Sequence, residues 1–204
     1  MFKTMQIAIM ILVCASFATA QSNDYKKYEF FAGYSQAVVV HGIEDDAILD
    51  DPEDYYGFNT SVTRNFSRYA GVKLDFSGHF RTRIIPFATS PIGIDLKARL
   101  YNVLGGLQIK DNSTDKTFKP FVHALVGVAH VRNRVHINND LCVAIPCQDF
   151  TESDTGLAGV VGGGVDLRLS DRIDVRIIQI DYNPTRLFDA SQRNLRIGFG
   201  IAFH

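Results

Sequence analysis

The last eleven residues of the chain, NLRIGFGIAFH, alternate strictly between large apolar side chains and small or polar ones. A period of two is typical of a β-strand, because successive side chains point to opposite faces of the sheet. The apolar face carries Leu195, Ile197, Phe199, Ile201 and Phe203. The other face carries Arg196, Gly198, Gly200, Ala202 and His204. The glycines and the alanine indicate that this second face borders a crowded interior.

Similar patterns predict seven further strands upstream, which makes eight in total. Alternation is clear in four of them, YGFNTSVTRN, YAGVKLDFSGHF, GVVGGGVDLRL and IDVRI. The first strand, from Tyr28, is rich in aromatic residues and does not distinguish its two faces. LYNVLGGLQIK and KPFVHALVGVAHV are also predicted strands, and a β-bulge in either would explain why their facing is ambiguous.

The links between these strands alternate in length. Short links follow the second, fourth and sixth strands, namely NFSR, DNSTDKT and SDR. Long links follow the other strands, at about 38–55, 81–94, 132–154 and 183–193. Segregated links of this kind are typical of transmembrane barrels, which have short periplasmic turns, longer external loops and strands of about 9–11 residues across the bilayer. The sequence therefore predicts an all-β fold, an eight-stranded antiparallel up-and-down transmembrane β-barrel.

The first 20 residues have the features of a secretory signal peptide. A lysine at position 3 precedes an apolar run, and Ala18-Thr19-Ala20 forms a small-x-small cleavage site. The run is too short for a membrane-anchor helix, and the valine before Cys14 argues against lipidation of that cysteine. We therefore predict a signal peptide at 1–20 and one barrel domain at 21–204.

The charge and the cysteine content of the mature chain limit the kinds of partner and site that we predict. Loss of Lys3 leaves 20 basic residues against 22 acidic ones, which argues against a nucleic-acid partner. Cys142 and Cys147 are the two remaining cysteines, and an even number in an exported chain predicts one disulfide. A zinc site would need more ligands than this pair offers.

RYAGVKLDFSGHF, KPFVHALVGVAHV, GGGVDLRLSDRIDVRIIQIDYNPTR and the closing strand resemble the small outer-membrane β-barrel proteins of the OmpA-barrel/OmpX-like group. The resemblance covers nearly the whole mature chain. It implies an outer-membrane location, contact with outer-membrane lipids and a monomeric protein. Members of the group usually end on an aromatic residue, whereas here Phe203 is penultimate and His204 is last.

Charged residues on the small faces of three strands are predicted to lie inside the barrel toward its periplasmic half. Opposite charges in a confined space must pair to offset their desolvation. We expect a structural salt-bridge network that fills the lumen, with an ion path as the alternative. Its predicted members are Lys73, Asp75, Asp166, Arg168, Asp174 and Arg176.

No catalytic residue, cofactor or metal is predicted. Asp75, Ser77 and His79 resemble a hydrolytic triad in composition, but alternate residues of one strand face lie about 6.5–7 Å apart, beyond hydrogen-bond reach. A lipid-modifying enzyme would have to recruit His123 or His130 from a neighbouring strand, and nothing in the spacing requires this.

The first long link is strongly acidic and is predicted to be external. Such carboxylates could hold Ca²⁺, although their spacing does not fit an EF-hand and acidic loops are commonly just solvated. The acidic residues are Glu44, Asp45, Asp46, Asp50, Asp51, Glu53 and Asp54.

Elsewhere, Arg132, Arg134 and His136 could attract acidic surface sugars or lie at the lipid headgroup boundary. A membrane-interface girdle is predicted from Tyr55, Tyr56, Tyr101 and Tyr182.

These features predict a structural or surface-interaction role, such as membrane integrity, adhesion or binding of an external ligand through the long loops, and not a wide pore. A secreted lipocalin-like barrel that binds a small ligand is the main alternative. It would turn the apolar strand faces inward, and the chain lacks the tryptophan that marks that family. A lipid-modifying outer-membrane enzyme is a further alternative.

Overall fold

The structure is a computed structural model that describes residues 25–40, 53–86, 93–138, 150–188 and 190–204. The predicted signal peptide at 1–20, the cysteine pair Cys142 and Cys147, and the acidic residues between Glu44 and Asp51 lie outside the described residues. These three expectations therefore stay predictions.

Eight antiparallel strands form one closed barrel in chain order, and the last strand pairs with the first. The strands are β1 (Tyr28–Val40), β2 (Glu53–Asn65), β3 (Ala70–Pro86), β4 (Gly93–Lys110), β5 (Phe118–Asn138), β6 (Phe150–Arg168), β7 (Ile173–Leu187) and β8 (Ala190–Phe203). Closure pairs the strand edges that hydrocarbon would otherwise leave without hydrogen-bond partners. The predicted strand number and topology are confirmed. No helix in the described part of the chain has the length and apolar character needed to cross a membrane.

Side-chain exposure shows which strand face points outward. In β8, Leu195, Ile197 and Phe199 are 39%, 42% and 57% exposed, whereas Arg196 and Ala202 are buried. The same division holds in the other strands, and exposed apolar residues such as Val126 and Leu157 encircle the barrel. An apolar exterior around a polar interior is the arrangement of a membrane barrel. The lipocalin-like alternative, with apolar faces inward, is therefore wrong.

The strands are longer than predicted, and one predicted loop is wrong. At the turn end the links are 66–69, 111–117 and 169–172, whereas at the opposite end they are 41–52, 87–92, 139–149 and 188–189. The expected long link at 183–193 is instead a tight hairpin, in which Leu187 pairs with Ala190 and Phe188 has a positive φ of 51°. Asn183 and Thr185 are polar and face the lumen, where they are buried. Their polar side chains give this end of β7 the amino-acid composition of a loop.

The expected irregularity in β4 or β5 is also wrong, because their described pairing with β3, with each other and with β6 is continuous. The bulge lies in β7, where the register with β8 shifts between Arg176 and Gln179. Ile177 and Ile178 are both exposed there, so two consecutive apolar side chains face lipid.

The lumen contains two regions with different inward-facing side chains. Near the turn end, between the bilayer centre and the periplasm, the inward side chains are charged. Toward the opposite end, β4, β5, β6 and β7 contribute an apolar cluster of Leu100, Leu104, Leu125, Ala129, Val131, Ala158, Val160 and Leu187. An eight-stranded barrel is just wide enough for side chains to fill, and here both clusters fill it.

Candidate functional site

Arg176 is the centre of the charged group nearest the turn end. Its guanidinium lies 2.8 Å from Asp166 Oδ1 and 3.0 Å from Glu29 Oε1. The same guanidinium is stacked between the rings of Phe31 and Phe121, 4.1 Å from each centroid. The Arg176 guanidinium thus has carboxylates at its edge and an aromatic ring on each face, so both its edge and its faces are in contact with partners.

Lys110 binds the same two carboxylates from β4. Its Nζ lies 2.6 Å from Glu29 Oε2 and 2.5 Å from Asp166 Oδ2. Asp174 extends the group toward the barrel mouth, with Lys119 Nζ at 2.9 Å and His204 Nε2 at 2.8 Å from its Oδ2. These contacts join β1, β4, β5, β6 and β7 through side chains alone.

A second charged group lies deeper in the membrane and is organised by Arg196. Its guanidinium spans two carboxylates, with Nη1 3.0 Å from Asp75 Oδ1 and Nη2 2.6 Å from Asp181 Oδ2. His123 Nε2 lies 2.8 Å from Asp181 Oδ1, and His123 Nδ1 lies 3.3 Å from Lys73 Nζ. Because an ammonium can only donate, Nδ1 accepts from Lys73 and Nε2 donates to Asp181.

The buried charges balance. Five cations and five carboxylates are buried among the described residues, Lys73, Lys110, Lys119, Arg176 and Arg196 against Glu29, Asp75, Asp166, Asp174 and Asp181. Burying a charge costs several kcal/mol per ion unless it is paired and hydrogen-bonded. The formal charges of these ten described residues sum to zero, and nine of them pair with an opposite charge, while Lys73 contacts His123 instead.

Five of the six residues predicted for this network are buried in the lumen, and Arg168 is not. Arg168 lies at the turn end, partly exposed, where its guanidinium donates to the carbonyl of Thr114 and pairs with Asp171. It is the last residue of β6, and its side chain reaches the turns at this end of the barrel. Sequence reasoning missed seven participants, because the faces of their strands were ambiguous or their charges were overlooked: Glu29, Lys110, Lys119, His123, Asp181, Arg196 and His204.

The residues that resemble a hydrolytic triad have separate partners. Asp75 binds Arg196, Ser77 accepts a hydrogen bond from Asn102 at 3.2 Å, and His79 Nε2 lies 3.0 Å from Ser35 Oγ. All three are buried, with at most 2% of their surface exposed. His123 and His130 are not brought together either, because His123 is inside the lumen. His130 is outside, 2.7 Å from Thr155 Oγ1. In the described residues no group of three or more His, Cys, Asp or Glu side chains is arranged to hold a metal ion.

Two acidic residues assigned to the external loop belong to a strand. Glu53 and Asp54 are the first residues of β2, and exposed Asp54 accepts a hydrogen bond from Gln36 at 3.1 Å. Backbone pairing of β2 with β1 continues beyond the apolar band of the barrel exterior. The start of the acidic segment is therefore not the start of the loop.

The aromatic girdle is partly as predicted. Tyr56, Tyr101 and Tyr182 are on the outer face, whereas Tyr55 points inward and is buried against Ala37. Phenylalanines complete the outer belt on β2 and β3, and the ring of Phe80 packs edge-on against Tyr101 at 5.8 Å. Such belts mark the depth of a membrane–water interface.

A surface ion pair joins two of the turns at the periplasmic end. Arg68 Nε lies 3.2 Å from Asp111 Oδ1, and this hydrogen bond raises the pKa of the Arg68 guanidinium. Burial alone would raise the pKa of the Asp111 carboxyl, but the hydrogen bonds from Arg68 and Ser113 lower it below its ordinary value. The pair connects the β2–β3 turn with the β4–β5 turn.

An apolar exterior, an aromatic belt and a lumen filled by paired charges define a transmembrane β-barrel of the outer-membrane class. The chain belongs to the outer membrane protein β-barrel domain family, whose model matches residues 7–203. Membership confirms the resemblance found in the sequence and places the protein in the outer membrane. No curated protein sequence matched the chain.

Solved structures share the fold. One is the structure of Ail, the attachment invasion locus protein of Yersinia pestis, in complex with the heparin analogue sucrose octasulfate. The two sequences are 19% identical, the TM-score is 0.59, and the match covers 86% of this chain and 97% of Ail. OprG from Pseudomonas aeruginosa is 13% identical with a TM-score of 0.50, over 91% of this chain and 98% of OprG. At these identities the likeness describes the fold alone.

Proposed function

We propose that the protein is a non-conducting, non-enzymatic outer-membrane barrel with a structural or surface-interaction role. The observation that carries this proposal is the filled lumen. Two layers of paired charges and an apolar cluster occupy the interior from the turn end toward the outside. Asp75, Ser77 and His79, which resemble a triad in composition, are buried and bind separate partners, which supports a role without catalysis.

The part of the barrel beyond the membrane favours surface interaction. β5 and β6 remain paired up to Val135 and Phe150, whereas described pairing of β6 with β7 ends at Ala158 and Thr185. Residues 154–156 of β6 still contact the end of β7, where the Phe188 N–H donates to Asp154 and Gly156 lies against the Arg186 carbonyl. The described pairing of residues 150–153 is with β5 alone, which leaves a short sheet edge at this end of the barrel. Exposed sheet edges offer backbone groups to extended partner segments.

Ion conductance tests the closed lumen. The folded full chain is inserted into planar bilayers, with a wide porin as the positive control in the same apparatus. We expect no stepwise conductance above the protein-free membrane, because both charged layers and the apolar cluster block the path. Reproducible unit steps from the purified protein would contradict the proposal and favour the ion path.

Adherence tests the surface role. A variant that lacks 135–150, with Arg134 and Thr151 joined by Asn-Gly, retains paired strand ends at the shortened hairpin. Bacteria that display the full chain should adhere to cultured epithelial cells more than vector-only bacteria, and the shortened variant should lose most of this difference. Heat-dependent gel mobility serves as the folding control for both proteins. Equal adherence of the full chain and the vector would restrict the proposal to a structural role.

A further inference from the structure

We propose that a file of water molecules crosses the barrel along the inward face of β2, so that the protein passes water and excludes ions. The file is held by four polar side chains of β2, Asn59, Ser61, Thr63 and Asn65, here called the β2 ladder. This activity is independent of the surface role, and it agrees with a lumen that is closed to ions.

The β2 ladder carries buried oxygens that call for water. All four residues face the lumen and are at most 4% exposed. One oxygen of each, namely Asn59 Oδ1, Ser61 Oγ, Thr63 Oγ1 and Asn65 Oδ1, has no hydrogen-bond partner among the described protein atoms. Buried polar atoms are almost always hydrogen-bonded, to protein or to ordered water. Alternate residues of a strand lie about 6.5–7 Å apart, a distance that one or two water molecules span with hydrogen bonds of about 2.8 Å.

The facing wall of this passage lies on β4. Both polar atoms of the buried Gln108 side chain, and Asn102 Oδ1, also lack a protein partner in the described part of the chain. Pairing through β3 places Asn102 in line with Asn59, and Gln108 in line with Asn65. Gly71, which has no side chain, is the β3 residue between Asn65 and Gln108. An internal water needs room and two to four polar partners, and small residues beside unpartnered oxygens supply both.

The polar lining continues toward the outside on β3. His79 Nδ1 is a further buried atom without a hydrogen-bond partner among the described residues. Partly buried Arg81 and exposed Arg83 follow at the next two alternate positions of the strand. The described apolar cluster is built from β4, β5, β6 and β7 and takes no residue from β1, β2 or β3. Water therefore has polar partners beside that cluster, from the turn end to the external mouth.

Lys73 supplies the selectivity of the file. It is buried directly opposite Thr63, and its Nζ lies 3.3 Å from His123 Nδ1. An ammonium has three N–H donors, so donors remain for water along the β2 ladder. A fixed positive charge beside a narrow water file repels cations and protons. The ten buried charges of the lumen already sum to zero, so an anion in the file would be in excess.

The test is osmotic shrinkage of lipid vesicles that contain the folded full chain. External sucrose is raised suddenly, and the vesicle volume is followed by light scattering. The vesicles should shrink faster than protein-free vesicles of the same lipid, in proportion to the amount of protein. A potassium chloride gradient across the same vesicles should dissipate no faster than across protein-free vesicles.

Two matched variants locate the path. Ser61→Ala/Thr63→Val removes two hydroxyls of the β2 ladder with little change in side-chain volume, so most of the protein-dependent shrinkage should be lost. Ser153→Ala/Thr155→Val is the control, because the same two residue types lie at the same spacing, exposed on the outer face of β6. It should keep the rate of the unmodified chain. Heat-dependent gel mobility checks the folding of both variants, and Gln108→Leu takes the place of the first if that variant does not fold.

Each outcome decides the proposal. Loss of the water flux in Ser61→Ala/Thr63→Val, with retention in the control variant, supports it. Shrinkage at the rate of protein-free vesicles overturns it and leaves the closed lumen and the surface role intact. Equal rates for the unmodified chain and Ser61→Ala/Thr63→Val, or equal losses in both variants, also overturn it. Faster dissipation of the potassium chloride gradient overturns both the selectivity for water and the non-conducting lumen of the proposed function.

Discussion

The charged lumen and the outer face of β4 and β5 use the same residue types in opposite ways. Inside, each sign is matched within the chain, as when Arg176 binds Glu29 and Asp166. Outside, Arg99 lies opposite Arg132, and the register brings two cations together. Charges removed from water must be neutralised by the protein itself, whereas charges at the rim have water, salt and lipid headgroups as counter-charges. The interior charges thus contribute to stability through pairing, whereas the rim charges stay in contact with water and lipid headgroups.

The largest expected effect is the loss of one central charge from the lumen. Arg176→Met leaves Glu29 and Asp166 with a single shared cation, Lys110, and removes the stacking on Phe31 and Phe121. Breaking a buried ion pair from one side costs about 3–5 kcal/mol. Urea unfolding in micelles, followed by gel mobility without heating, should show a loss of this size in the free energy of unfolding.

The control for that loss is Arg193→Met, which removes an exposed outward cation of β8. Its free energy of unfolding should differ from that of the unmodified chain by less than about 1 kcal/mol, since exposed charges contribute little. Equal losses in both variants would contradict the distinction between interior and rim.

A charge-balanced double variant tests whether the interior depends on neutrality. Asp181→Asn leaves Arg196 with one carboxylate, Asp75, and removes the charged partner of His123. Adding Lys73→Met restores equal numbers of buried cations and carboxylates. Since the two side chains are connected through His123, we expect the double variant to be more stable than the sum of the single losses by about 0.5–3 kcal/mol. Simple additivity, measured by the same unfolding assay, would indicate that local contacts alone matter.

The next effect is steric and concerns the small inward face of β8. A Cβ at Gly200 would collide with the carbonyl oxygen of Ala32 and lie 2.5 Å from Gly33 Cα, both of them backbone atoms. Gly200→Ala should therefore cost roughly 1–3 kcal/mol of unfolding free energy. At Gly159 the nearest atom to an added Cβ is Leu125 O at 3.7 Å, an ordinary contact. Gly159→Ala should be close to neutral, and a larger loss there than at Gly200 would contradict the crowding argument.

Alternation together with the lengths of the links was sufficient for the fold. The alternating segments predicted the strands and their number, and the short-long order of the links favoured the facing that the structure has. It did not predict the strand ends, because inward polar residues such as Asn183 and Thr185 have the composition of a loop. Membrane-facing alternation stops at the interface, whereas backbone pairing continues beyond it, so the predicted links were too long.

The candidate site was only partly predictable for a different reason. Charges on one strand face identified Lys73, Asp75 and Arg176 as inward residues, but their partners come from strands distant in the chain. Glu29 and Arg176 are separated by 147 positions and meet only when the barrel closes. A charged residue belongs to the buried network only if its side chain faces inward. The alternation in β8 already placed Arg196 on the inward face, although its charge was not considered together with the others. The direct opposition of Arg99 and Arg132 depends on the register of β4 against β5, which a sequence does not give when the facing of both strands is ambiguous.

The smallest expected effect is at the rim, and its sign is opposite to the losses inside. Arg132→Glu places an acid directly opposite Arg99 and replaces a like-charge pair by an opposite-charge pair. In zwitterionic micelles without phosphorylated lipid, the free energy of unfolding should rise by roughly 0.2–1 kcal/mol. Arg193→Glu, opposite Pro184, gains no such partner and should not be stabilised. Equal changes in the free energy of unfolding of the Arg132→Glu and Arg193→Glu variants would contradict an effect of the direct opposition of Arg132 and Arg99.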